Sequence, residues 1–69
     1  MKIEFNKWYY WWHDSNTIKR GQLDCIQDRG NSTTYLFSTR NYLGDCVVVQ
    51  IEEQRLFTNI NDLMKAKHD

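Results

Sequence analysis

The alternation of apolar and polar positions predicts four β-strands and a short fifth one. Period-two alternation and enrichment in β-branched and aromatic residues are typical of strands. The predicted strands cover about residues 7–13, 17–27, 33–39, 46–51 and 55–57. The segment 46–51, CVVVQI, is apolar on both faces. We therefore expect it to be a central strand that is covered on both sides.

The second predicted strand contains a change of phase. Ile18 lies at an even position, whereas Leu23 and Cys25 lie at odd positions. A shift of one residue moves side chains to the opposite face of a sheet. Gly21 lies between the two phases, which predicts a β-bulge or a sharp bend at this residue.

The chain closes with a predicted helix at about residues 59–67. Ile60, Leu63 and Met64 are spaced to form one apolar helical face, and Thr58 precedes the helix as its expected N-cap. A helix of this length is not stable alone in water, so we expect it to dock on the strands. The whole chain, residues 1–69, is thus expected to form a single, mainly β domain.

Three segments resemble a known architecture: IKRGQLDCI with its central glycine, the paired strands TYLF and CVVVQI, and LFTNINDLMKA at the end. Together they span about residues 17–66 and are similar to SH3-like and Tudor-like barrels, particularly those in very small proteins of phages and mobile elements. The resemblance implies a small, strongly bent antiparallel sheet or SH3-like barrel of 4–5 strands with one short C-terminal helix. It does not include residues 8–12.

Residues 8–12, WYYWW, hold half of the aromatic residues of the chain. In a strand, Trp8, Tyr10 and Trp12 point to one face and Tyr9 and Trp11 to the other. We expect the set of three rings in the core and the pair exposed, although the opposite choice of face is nearly as well supported. The helix, a second copy of the chain or another macromolecule are the three candidates to cover the second face.

The charges give little indication of a nucleic-acid partner. Nine basic and nine acidic residues cancel and are mixed along the chain, whereas nucleic-acid binders normally show a basic stripe. Folding can still gather Lys7, Lys19, Arg20 and Arg40 on one surface. We rank a protein partner above a nucleic acid on this basis.

The sequence shows no set of residues whose types and spacing are typical of a catalytic site or a metal site. His13, His68, Cys25 and Cys46 have no ligand spacing, and no phosphate-binding glycine-rich loop is present. We expect a protein that is not an enzyme and has no cofactor, with two free, buried cysteines.

The chain also lacks an apolar stretch long enough to span a membrane and a convincing signal peptide. We expect a full-length cytoplasmic protein without a membrane partner, in the host cytoplasm if a phage encodes it.

These features together predict a small non-enzymatic protein-binding module. In size and style it resembles anti-CRISPR and other counter-defence proteins, which implies an inhibitor that sterically blocks a host protein. Tyr9 and Trp11 are the expected aromatic contacts, with Tyr42, Lys7 and Arg40 around them. A small barrel that binds single-stranded nucleic acid is one alternative, and a homodimeric structural or adaptor protein is another.

Overall fold

The computed structural model describes residues 2–66 and contains one four-stranded antiparallel sheet with strand order β1-β2-β3-β4. The strands are β1 (Trp8–Trp12), β2 (Ile18–Asp28), β3 (Thr33–Arg40) and β4 (Cys46–Gln50). A 3-10 helix (Glu53–Arg55) and the helix α1 (Ile60–Lys65) follow. A mainly β fold with one short C-terminal helix is therefore confirmed.

Tight turns with side-chain hydrogen bonds join the consecutive strands. The Asp14 carboxylate accepts a hydrogen bond from the backbone N–H of Asn16 at 2.8 Å, and the Asp28 carboxylate accepts one from Gly30 at 3.0 Å. The Asn41 side chain accepts from the backbone N–H groups of Leu43 and Asp45 in the last turn. Asp and Asn side chains stabilise such turns by replacing backbone acceptors. The short connections explain why neighbours in sequence are neighbours in the sheet.

The sheet is open. At the β1 edge, Tyr10 and Phe57 exchange two backbone hydrogen bonds of 2.8 and 2.9 Å. The predicted fifth strand at residues 55–57 is therefore reduced to an isolated bridge at Phe57. β4 pairs only with β3, so the strands described here do not close into a barrel. The expectation that segment 46–51 is central and covered on both sides is wrong. Its strand, β4, forms the edge of the sheet, and Val48, whose side chain is on the face opposite the core, is half-exposed.

The irregularity in β2 lies at a different residue from the predicted one. The register with β3 shifts between Leu23 and Cys25, which leaves Asp24 as the additional residue, rather than Gly21. Leu23 is buried in the core, whereas Ile18 lies on the opposite face of the sheet. Their different parity therefore needs no bulge, because the two residues serve different faces.

The core occupies one face of the sheet. Its buried residues are Ile3, Tyr9, Trp11, Leu23, Phe37, Ile51 and Leu56. Phe37 is at the centre, with its ring centroid 5.7 Å from those of both Tyr9 and Trp11. Gly21 lies beneath this cluster. A Cβ atom at Gly21 would overlap the carbonyl oxygen of Ser38 and lie 3.0 Å from Cη2 of Trp11. The glycine is therefore required by close packing.

Helix α1 begins later and ends earlier than predicted. Its N-cap is Asn59, whose side chain accepts a hydrogen bond from the backbone N–H of Asn61 at 2.7 Å, so the assignment of Thr58 is wrong. Leu63 is fully buried, but Ile60 and Met64 are about half-exposed. Only one of the three predicted apolar contacts is therefore buried. The end of the predicted helix, residue 67, lies outside the described residues.

The helix is held against β1 by a hydrogen bond as well as by Leu63. The indole N–H of Trp12 donates to the carbonyl oxygen of Leu63 at 3.1 Å. Within residues 2–66, no helix has the length and apolar character needed to cross a membrane.

Replacement of Gly21 tests the packing beneath Trp11. We expect Gly21→Ala to lower the free energy of unfolding by about 1–3 kcal/mol, because the added methyl group would collide with the Ser38 carbonyl oxygen of β3 and crowd the Trp11 ring. Since each kcal/mol shifts the melting temperature of a domain of this size by about 4–8 °C, thermal unfolding followed by circular dichroism measures the effect directly.

The matched control is Gly30→Asn, at a turn glycine with no atom near its missing Cβ. Asn tolerates the positive φ of 81° found there. An equal loss of stability in both variants would contradict the role assigned to Gly21.

Candidate binding surface on the open face of the sheet

The structure reverses the predicted orientation of the aromatic strand. Tyr9 is 0% and Trp11 1% exposed, whereas Trp8 is 48% exposed. The expectation that Tyr9 and Trp11 form an exposed contact surface is therefore wrong. These rings pack on Phe37 in the core, where Gly21 leaves the room that Trp11 fills.

The opposite face of the sheet is only partly covered. Helix α1 lies over the Trp12 end of β1 through Leu63, and Trp12 is half-buried there. Trp8, at the other end of the strand, has no such cover. We call this side of the sheet the open face. The strand registers place Tyr10, Arg20, Arg40 and Cys46 in one row across it, and Trp8, Gln22, Ser38 and Val48 in the next.

A groove of about 670 Å³ crosses the open face, and we call it the basic groove. Its lining includes the cations Arg20 and Arg40 of the open face and the aromatic residues Trp8 and Tyr42. Lys19 also lines the groove, although its pairing with Trp11 gives it the parity of the core face. Neither Asp nor Glu contributes to the lining. A chain with no net charge thus concentrates positive charge in one concave surface.

The three cations are held in place by contacts that do not involve a carboxylate. The Arg20 guanidinium lies 4.7 Å from the centre of the Trp8 ring, in a cation–π contact. Lys19 Nζ donates to the carbonyl oxygen of Arg40 at 3.1 Å, and Arg40 Nη1 donates to that of Gly44 at 2.8 Å. Among residues 2–66, none of the three forms an ion pair. Their charges therefore contribute a positive potential to the groove that they line.

Two carboxylates lie on the loops that border the groove, at Asp14 and Asp45. A hydrogen bond from the backbone N–H of Asn16 lowers the pKa of Asp14, so this side chain is negatively charged at neutral pH and tied to its own turn. The positive region therefore has an acidic boundary at this loop, which favours ligands whose anionic groups reach the centre of the groove.

The remaining predicted contact residues are divided between two places. Arg40 lines the basic groove with Tyr42, which is 93% exposed. Lys7 does not line the groove and forms an ion pair with Glu4 at 2.9 Å. That hydrogen bond raises the pKa of Lys7 and lowers the pKa of Glu4. Both groups are solvent-exposed, so the pair has little effect on stability.

The alternative choice of face, with Trp8 exposed, is the one that the structure has. The anticipated gathering of cations, however, takes place for three of the four: Lys19, Arg20 and Arg40 meet in the groove and Lys7 does not. The face of Trp8 is decided by the pairing of β1 with β2, which the sequence pattern alone does not give. Gly21 and Leu23 share one face, and Gly21 pairs with Tyr9, so this pairing places Tyr9 and Trp11 on the core side.

The described residues contain no metal-binding cluster. Within residues 2–66 no group of three His, Cys, Asp or Glu side chains is close enough to hold a metal ion, and His68 lies outside this range. Cys25 and Cys46 are free thiols, with Cys25 half-buried and Cys46 exposed. The expectation of two buried cysteines is therefore wrong for Cys46, which lies on the uncovered edge strand.

The groove has the chemical means to bind an anionic group and a flat or apolar one together. Cations attract carboxylates or phosphates, and the faces of Trp and Tyr rings stack on planar groups or pack on apolar ones. Comparison with protein-family models, curated proteins and solved structures finds no match for this chain.

Paired substitutions in β1 test which rings belong to the core and which to the open face. We expect Trp11→Ala to cost about 3–5 kcal/mol of stability, which is most of the stability of a domain of this size. Trp8→Ala removes a half-exposed ring and should cost about 1 kcal/mol or less. Urea denaturation of the two variants measures both values. A greater loss for Trp8→Ala than for Trp11→Ala would refute the orientation of the strand.

Proposed function

We propose that this protein is a small non-enzymatic binding module that recognises a partner protein through its open face. The observation that carries the proposal is the basic groove, in which three cations without ionic partners lie beside two aromatic rings and no carboxylate contributes. Such a surface complements an acidic segment or patch on another protein. Trp8 and Tyr42 take the contact role that sequence reasoning gave to Tyr9 and Trp11.

The aromatic residues are suited to the centre of an interface. Trp, Tyr and Arg are the residues most enriched at binding hot spots, and all three types meet here in Trp8, Tyr42 and Arg20. The Arg20–Trp8 contact orients both side chains before a partner arrives. Side chains that are already ordered lose less conformational entropy on binding, which favours affinity.

The role we propose for this module is that of a phage or mobile-element inhibitor acting in the host cytoplasm. It would block a host defence protein by covering a functional surface rather than by chemistry. Small size, an abundance of aromatic residues and a concave charged surface support this role.

We also propose that the fold is an incomplete SH3-like barrel. The Tyr10–Phe57 bridge supports this, because a segment after the 3-10 helix returns to the free side of β1.

A pull-down from bacterial lysate tests the proposed partner class. Tagged wild-type protein should retain a stoichiometric protein band that survives nuclease. The double variant Arg20→Gln/Arg40→Gln should retain it at least about tenfold less, because the charges that face the partner are removed. Mass spectrometry identifies the band.

The control is Arg29→Gln/Lys65→Gln, which removes the same charge from exposed positions outside the groove. Equal retention by both double variants would show that the basic groove is not the binding surface. A melting temperature measured for each variant separates lost binding from lost fold.

Single-stranded nucleic acid is the second candidate ligand, and the same gathering of cations and rings favours it. Single-strand binders combine a positive groove with aromatic rings on which bases stack. The groove offers three cations for phosphates, Lys19, Arg20 and Arg40, and the fully accessible ring of Tyr42 for stacking.

This alternative predicts a definite salt dependence. Three phosphate contacts give a slope of about −2 for the logarithm of affinity against the logarithm of salt concentration. Tyr42→Ala should weaken binding by about 1–3 kcal/mol through lost stacking. Fluorescence anisotropy of a labelled oligothymidine at several salt concentrations measures both effects. Absence of binding at low salt, or a slope near zero, would eliminate the nucleic-acid candidate.

A further inference from the structure

Strand β4 presents an unpaired row of backbone groups at the edge of the sheet. Ile51 N–H donates to Tyr35 at 3.2 Å and Asn41 N–H to Asp45 at 3.0 Å, which fixes the phase of the β3–β4 ladder. In an antiparallel ladder, hydrogen-bonded and non-hydrogen-bonded pairs alternate. The backbone groups of the residues at even positions therefore point away from β3. Within residues 2–66 these groups, on Cys46, Val48 and Gln50, have no backbone partner.

This edge carries none of the usual protection against pairing. Edge strands are normally blunted by charged residues, proline or bulges. β4 reads CVVVQ, with neither a charge nor a proline, and its register with β3 is regular. The other edge of the sheet, along β1, is covered at its centre by Phe57. The part of β2 that extends beyond β1 is also unpaired on one side, but it carries the charges of Asp24 and Asp28. Among the described strands, β4 is therefore the edge without such a bridge or charge.

We propose that β4 of a second copy of the chain pairs antiparallel with this edge, about a two-fold axis at Val48. The register places Val48 opposite its own equivalent and Cys46 opposite Gln50 of the second copy. Three outward donors from each copy then give about six backbone hydrogen bonds. The two sheets join into one continuous antiparallel sheet.

The charges at the two ends of β4 favour a second copy as the occupant. At one end, Arg40 Nη1 donates to the carbonyl oxygen of Gly44 at 2.8 Å, which places this guanidinium beside the start of β4, next to the carboxylate of Asp45. Exposed Glu52 follows Gln50 at the other end. In the proposed register, residue 52 of one copy lies opposite residue 44 of the other, so the Glu52 carboxylate approaches the Arg40 guanidinium twice by symmetry, and Asp45 offsets part of this attraction. The zero net charge of the chain opposes association very little.

The proposed dimer does not depend on a disulfide bond through the exposed thiol of Cys46. The two Cys46 residues are offset by four positions along the strands, which separates them by about 14 Å and excludes a disulfide. The two-fold axis is perpendicular to the sheet, so both open faces lie on the same side. A dimer therefore presents two basic grooves together and gains affinity for any partner with two acidic sites.

Sedimentation over a range of concentrations tests the proposal. The mass of the wild-type protein should rise from 8.4 kDa toward twice that value between about 10 μM and 1 mM. Val48→Lys places two like charges at the axis and should raise the dissociation constant at least about tenfold. Val48→Thr keeps the backbone and a β-branched side chain and should dimerise like the wild type. Because Val48 is half-exposed, both variants should keep the melting temperature of the wild type when measured in dilute solution, where all three proteins are monomeric.

Amide hydrogen exchange measured by NMR identifies the surface itself. The N–H groups of Cys46, Val48 and Gln50 should exchange rapidly in the dilute protein and slow as the dimer forms, whereas that of Val47 should change little. A monomer at every concentration would overturn the proposal, as would a dimer that Val48→Lys leaves intact or that a reducing agent dissociates. Slow exchange at these three amides in the dilute monomer would show that the chain covers its own edge.

Discussion

The packing of two aromatic rings on Phe37 above a glycine determines the arrangement of the molecule. Tyr9 and Trp11 lie on either side of the Phe37 ring, and the missing side chain of Gly21 leaves room for the Trp11 indole. Once these rings are inside, the pleat of β1 places Trp8, Tyr10 and Trp12 on the other side. The register with β2 then brings Arg20 over Trp8. The composition of the open face is thus a consequence of core packing on the opposite face.

The local pattern of the sequence was sufficient to predict the elements but not the choice of face. Alternation and turn residues predicted the four strands within a few residues of their ends, because those signals act between near neighbours. The parity of WYYWW is different, since both of its faces are aromatic and neither is distinguished by polarity. Its orientation depends on Gly21, a residue ten positions beyond Trp11, and therefore on tertiary structure.

The errors at β4 and in the charge distribution have a similar origin. The run CVVVQI is typical of a strand buried on both faces, but burial depends on strand order, and β4 is last in the sheet. Likewise, the even mixing of charges along the chain conceals that Lys19, Arg20 and Arg40 converge. The convergence depends on the β2–β3 register, in which Gln22 lies opposite Ser38 and hence Arg20 opposite Arg40. Candidate residues such as Tyr42 and Arg40 were accessible to sequence reasoning because they lie in or beside a polar turn.

The three tryptophans of one short strand lie in three different environments, and this gives the protein built-in spectroscopic reporters. Trp11 is enclosed in the core, Trp12 donates its indole proton to the helix, and Trp8 lies beneath a guanidinium in the groove. The emission maximum of indole shifts to longer wavelengths with solvent exposure, so the three residues differ in emission wavelength and in accessibility to quenchers. Variants that each keep a single tryptophan would report separately on folding, on helix docking and on occupation of the groove, without any attached dye.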